Sequence, residues 1–160
     1  MKAKVIVLTR VCLVVMAVCV AATVAFAKTS PHMGTWKLNE AKSKIAAGAT
    51  KNNTVVYEAS GNDIKVTVDG TDGDGNATHS EWTGKFNGKY YPVTGDATSD
   101  LRAYRTVGAR TLMLTGKKGG KITLTGRIVV SANGKMRTVT TSGTDAKGKR
   151  FRTTAVYDKA

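Results

Sequence analysis

TVVYEASGNDIKVTVDGTDGDGNATHSEWTG, residues 54–84, alternates apolar and polar side chains between two turn signals and reads as three antiparallel strands. Laid without gaps on residues 127–157, it matches at nine of 31 positions. Chance pairing of a chain this rich in Thr, Gly and Val gives roughly two or three. Ser60-Gly61 and Asn133-Gly134 centre the first hairpin of each copy, because a two-residue loop needs residues that tolerate positive φ. Pairing outward from Ser60-Gly61 sets Tyr57 opposite Ile64 and Val55 opposite Val66. One face is then apolar, and Thr54, Lys65, Thr67 and Asp69 turn the other way. The second turn, Asp72-Gly73-Asp74-Gly75-Asn76, fits a three-residue loop with Gly75 left-handed, and its twin is Asp145-Ala146-Lys147-Gly148-Lys149. Trp82 falls opposite Val66, in the core.

Outward from this unit the pattern persists. Gly34-Thr35-Trp36-Lys37-Leu38 is a short opening strand, and Asn39 is placed to cap a brief helix over residues 40–45. Strands are expected over residues 85–94, 101–107, 110–115 and 121–131, with turns at Gly95-Asp96 and Lys117-Lys118-Gly119-Gly120. Some ten strands at this spacing, joined by hairpins and without a long helical period, give an all-β fold. The expected architecture is an antiparallel up-and-down meander barrel of about 8–10 strands, or a β-sandwich if two sheets collapse on each other.

Residues 1–27 read as a secretory signal peptide. Lys2, Lys4 and Arg10 give a positive start, residues 11–27 are uncharged and mostly apolar, and Ala25-Phe26-Ala27 places cleavage after Ala27. That 17-residue run is short against the roughly 20 residues of a spanning helix, so no transmembrane span is expected after cleavage. Both cysteines, Cys12 and Cys19, lie in this leader, and Met16-Ala17-Val18 matches a lipoprotein box poorly. Residues 28–160 then form a single cysteine-free domain, large enough for a core without disulfides. A secreted or periplasmic location follows, in a bacterial envelope more readily than in a disulfide-stapled animal protein.

Charge is unevenly spread. Residues 28–100 hold 8 basic and 9 acidic side chains, whereas residues 101–160 hold 14 and 2. Lys117, Lys118 and Lys121 crowd one turn, and Lys147, Lys149, Arg150 and Arg152 another. Such a half suits contact with an anionic envelope polymer or lipid head groups, or is simply a soluble basic surface. Nucleic acid is not expected as a partner, because stacking aromatics are not interleaved with the basic residues.

The ends of the chain carry a resemblance. Gly34-Thr35-Trp36 inside a first strand, the meander of hairpins, and the ending Thr154-Ala155-Val156-Tyr157-Asp158-Lys159-Ala160 resemble the calycins, the lipocalin and fatty-acid-binding barrels. The segment GTWKLNEAKS, residues 34–43, is also similar to a group of small exported bacterial lipocalin-like proteins. The resemblance implies a calycin-like barrel and a role in binding small molecules. Fatty-acid-binding proteins place a carboxylate-holding Arg two residues before the last-strand Tyr, and that position is Ala155 here. Lipocalins pack a basic residue of the last strand over the Trp of G-x-W. Arg150 and Arg152 lie on that strand but face outward in this register.

Arg137 is the basic residue of most interest. The repeat places it on the core face between Val130 and Tyr157, where its twin is the apolar Ile64. It is read either as an anchor for a ligand carboxylate or phosphate, or as a rim residue whose head reaches water or an aromatic face. Asp72, Asp74 and Asn76 mimic the opening of a calcium loop, but Ala77 and Thr83 stand where that loop needs Gly and Glu. His79 and Glu81 share a strand face without a third ligand at fixed spacing, and His32 falls in a mobile leader, so neither a metal nor a cofactor is expected. No nucleophile motif is present, and the chain reads as a non-enzyme. The leading expectation is a binding protein for a small hydrophobic or amphipathic ligand, with Trp36, Trp82, Arg137 and Tyr157 at its site. The alternative is an envelope-associated structural protein with a filled interior, acting through its basic C-terminal half.

Overall fold

Alternation of the kind seen in residues 54–84 runs through the whole domain and builds ten strands. They are β1 (Gly34–Leu38), β2 (Lys51–Ser60), β3 (Asp63–Thr71), β4 (Ala77–Gly84), β5 (Tyr91–Thr94), β6 (Leu101–Gly108), β7 (Thr111–Lys118), β8 (Lys121–Val130), β9 (Met136–Thr144) and β10 (Arg150–Lys159). The computed structural model describes residues 29–145 and 148–160. The leader read at residues 1–27, and Lys147, lie outside the described residues. Each strand pairs antiparallel with the next, and β10 returns to β1, with Trp36 opposite Lys159 and Leu38 opposite Tyr157. The sheet therefore closes into an up-and-down antiparallel barrel. The sandwich alternative falls, because β1 and β10 satisfy each other's backbone groups and leave no edge on which to split the sheet.

The first hairpin is set two residues away from its expected register. Its loop is Gly61-Asn62, with Gly61 at φ +59°, so Tyr57 pairs with Val66 and Val55 with Val68. A loop with glycine first and one ordinary residue second needs positive φ only at the glycine, which Ser60 in that position would not supply. Side chains repeat every two residues, so the slip leaves the same residues facing in. Val66 opposite Trp82 and the three-residue second turn are as expected, with Gly75 at φ +88° and the Asp72 amide donating to the Asn76 carbonyl at 2.9 Å.

Two further expectations are corrected. The helix over residues 40–45 is a single 3-10 turn, Glu40–Lys42, capped by the Asn39 side chain. It stops there because Lys44 exchanges both backbone hydrogen bonds with Thr154 at 2.7 and 2.9 Å. The strand over residues 85–94 is reduced to β5, since residues 85–90 leave the sheet and pair with it along the backbone only at a bridge from Asn87 to Arg105.

Odd-to-even connections lie at one end of the barrel and even-to-odd connections at the other. The two ends are filled differently. Near the second end Tyr57, Trp82, Phe86, Tyr91 and Tyr104 form a connected aromatic layer, with Trp82 and Tyr104 at 4.7 Å between centroids, and Trp36 joins the same core through the Arg137 guanidinium. Ten strands enclose more width than eight, whose side chains nearly fill the interior, and the aliphatic walls at the first end leave space between them.

A candidate ligand cavity

The cavity has a volume of about 410 Å³. Its walls are apolar on several strands, with Val55 and Val68, Leu114, Leu124 and Ile128, and Val139 and Ala155. Its mouth is edged by the 45–50 loop, Asp72, the 95–98 loop and the β9–β10 turn. The closed end lies on the aromatic layer, where Tyr57, Tyr104, Tyr157 and Arg137 border the space.

Arg137 sits where the repeat register places it, opposite Val130 on β8 and Tyr157 on β10. It is 1% exposed. The rim position is thus corrected, although its head does meet aromatic faces: the guanidinium carbon lies 5.0 Å from the Trp36 ring centre, 4.9 Å from Tyr57 and 4.8 Å from Tyr157. Its Nε and Nη1 are buried and make no hydrogen bond with the protein. Nor do the tyrosines act as counter-ions. Burial pushes the Tyr157 hydroxyl up to about 12 against the opposing pull of Arg137, and burial together with Tyr104 drives Tyr57 upward as well. Both stay neutral at ordinary pH, and among the described residues the guanidinium meets three ring faces and forms no ion pair.

A second buried arginine is paired. Arg102, inward on β6, donates from Nη2 to Asp96 on the mouth loop. Burial works to raise the Asp96 carboxyl, but the Arg102 charge and the Thr98 hydroxyl and amide outweigh it, so its pKa falls below the usual carboxylate value. The Arg102 carbonyl in turn accepts from Trp82 Nε1 at 2.9 Å, tying the mouth loop to the aromatic layer through one residue.

His32, expected in a mobile leader, is instead buried at the closed end. Its carbonyl accepts from Trp36 Nε1 at 2.9 Å and its ring meets Phe86 edge-on at 6.4 Å, while neither ring nitrogen has a partner. Burial, then the nearby Arg137 charge, lower its pKa to about 4. The unfolded chain takes up a proton near pH 6.5 that the folded protein refuses until about pH 4. Stability should therefore fall as the pH drops through that window, by up to about 3 kcal/mol. Thermal melts at stepped pH should show this fall in the parent and a flatter profile in His32→Leu. Equal slopes in the two proteins would remove His32 as the cause.

Of the four residues expected at a ligand site, Arg137 and Tyr157 border the cavity; Trp36 and Trp82 lie beneath it, Trp82 in the aromatic layer. Tyr57, Tyr104 and Arg102 also border it and were missed, although period-two alternation from Tyr104 would have turned Arg102 inward. Arg150 and Arg152 are exposed, Arg150 at the edge of the cavity mouth, and the last-strand basic residue over Trp36 is Lys159, with Nζ 5.2 Å from the ring centre. On the outer wall His79 Nδ1 meets Asp69 at 2.6 Å and Glu81 meets Lys65 at 2.7 Å. Among the described residues no cluster suited to a metal ion is found. The Asp72 carboxylate is used within its own turn, accepting from the amides of Asp74 and Asn76 at 2.9 and 2.8 Å.

No protein-family model matches the chain. No curated protein matches it in sequence. Among solved structures it is similar to a redesigned β-barrel, mFAP1, bound to DFHBI, at 16% identity and a TM-score of 0.45, over 81% of this chain and 95% of that one.

Proposed function

We propose that the protein is an exported, non-enzymatic barrel that binds a small amphipathic molecule, with its anionic group toward Arg137 and its apolar part along the aliphatic walls. The supporting observation is the guanidinium at the closed end of an open cavity, buried without a carboxylate. Removing an ion from water costs several kcal/mol even after relaxation, and an incoming carboxylate or phosphate recovers much of it through charge-assisted hydrogen bonds. A volume of about 410 Å³ lies in the range of small-molecule sites. The envelope-structural alternative expected a filled interior, which this barrel lacks.

Native mass spectrometry of protein purified from its own host tests the reading. A bound small acid, released on denaturation, is the expected result. Protein that is wholly free of adduct, or that carries only a neutral compound, would contradict it.

A further inference from the structure

We infer that one arc of the cavity mouth docks on an anionic lipid surface. Because β1 neighbours β10 and β9 neighbours β8, the β1–β2 loop, the β9–β10 turn and the β7–β8 turn follow one another around the rim. The first carries the uncharged run Ile45-Ala46-Ala47-Gly48-Ala49 between Lys44 and Lys51. The second carries Lys149 and Arg150, and the third Lys117, Lys118, Lys121 and Ile122. Acidic groups on this arc are already engaged: Glu40 pairs with Lys51 at 2.8 Å, and the Asp145 carboxylate accepts from the Lys149 amide at 2.8 Å. The remaining two mouth connections carry Asp72, Asp74, Asp96 and Asp100, of which Asp100 reaches the β7–β8 turn and is engaged there, accepting from the Gly119 amide at 2.9 Å. The mouth is thus split into a basic arc and an acidic one.

Apolar surface singles out a bilayer over a soluble polyanion. Ile122 is 61% exposed beside Lys121 and across from Lys117, and Ala46 and Ala47 are exposed on the β1–β2 loop at the other end of the arc. A polymer of charges makes no use of an isoleucine between lysines, whereas a lipid interface takes the ammonium groups at its head groups and the aliphatic chain beneath them. Lys117 lies over the Tyr90 ring at 4.0 Å and Lys118 bonds the Ala97 carbonyl, so Lys121, Lys149 and Arg150 are the side chains to probe. The inference concerns the rim and is independent of what fills the cavity.

Flotation of the purified protein with vesicles of phosphatidylcholine, with and without phosphatidylglycerol, tests it. Binding should require phosphatidylglycerol and weaken as salt is raised. Each basic residue near the surface contributes about fivefold, so Lys121→Glu with Lys149→Glu should lower partitioning by about 25-fold or more. Arg110→Glu with Lys135→Glu, the same charge change at the closed end, should cost less than about threefold. Ile122→Ser keeps every charge and should still lose about tenfold. Thermal melts check that each variant is folded. Absence of binding to the anionic vesicles at low salt, equal losses from the two charge pairs, or full binding by Ile122→Ser would each overturn the inference; full binding by Ile122→Ser that soluble polyphosphate abolishes would assign the arc to a polymer instead.

Discussion

Replacing Arg137 with methionine should leave the barrel folded at close to its parent stability and remove most of its affinity for an acidic ligand. Stability changes little because two large quantities oppose each other. The side chain gives up several kcal/mol of hydration, and the ring faces of Trp36, Tyr57 and Tyr157, each within 5.0 Å of the guanidinium, return roughly 0.5 to 2 kcal/mol apiece. Methionine fills a similar length and keeps favourable sulfur contacts with the same rings, so the net change should stay within about 1 to 2 kcal/mol. Binding has no such compensation. A ligand anion brought into this cavity without its cation is left buried and unpaired, which costs about 2 to 5 kcal/mol, or roughly 30-fold to several thousandfold in Kd. Calorimetric titration with the acid recovered from the native protein, set beside thermal melts, reads both quantities. Parent-like affinity in Arg137→Met would remove Arg137 from the site.

Trp82→Ala should produce the largest loss of stability, about 3 to 5 kcal/mol, a fall in Tm on the order of 10 to 20 °C. Its ring is 1% exposed, stacks on Phe86 at 6.3 Å, and meets Tyr91 and Tyr104 edge-on at 5.7 and 4.7 Å. Deleting it opens a void among three aromatic neighbours, two of which, Tyr91 on β5 and Tyr104 on β6, are held by strand backbones and have little room to collapse. It also strips the Arg102 carbonyl of its buried donor. Trp82→Phe keeps most of the ring area and loses mainly that hydrogen bond, so it should cost only about 1 to 3 kcal/mol. Urea denaturation of the pair separates the two contributions. A Trp82→Ala variant within 1 kcal/mol of the parent would mean that the aromatic layer does not support the closed end.

The difference between what was legible in the sequence and what was not follows from the kind of information each feature needs. Side-chain direction needs only parity, and parity survived even a hairpin register set two residues off: Val55, Tyr57 and Val66 face inward whichever partner they have. Arg137 was placed between Val130 and Tyr157 by the same parity, read through the repeat. Its depth along the barrel axis was not legible, because depth depends on the stagger of strands around a closed sheet. Trp36 and Trp82 show the same limit, correctly inward yet below the cavity. His32 escaped because no local pattern marks a segment before the first strand that folds back under a barrel; the signal was its neighbour Trp36, whose indole needs an acceptor and takes the His32 carbonyl.

Pairing of the first strand with the last carries a consequence for how the barrel closes. Lys159 lies across from Trp36, and the Ala160 amide donates to the Thr35 carbonyl at 3.0 Å, so the seam joins the two strands most distant in sequence. Such distant contacts form late, after the entropy of bringing both ends together has been met. Until β10 is seated, β1 and β9 each present a bare flank, so the state with the seam open is the one most exposed to capture by a chaperone or by a second copy of the same barrel.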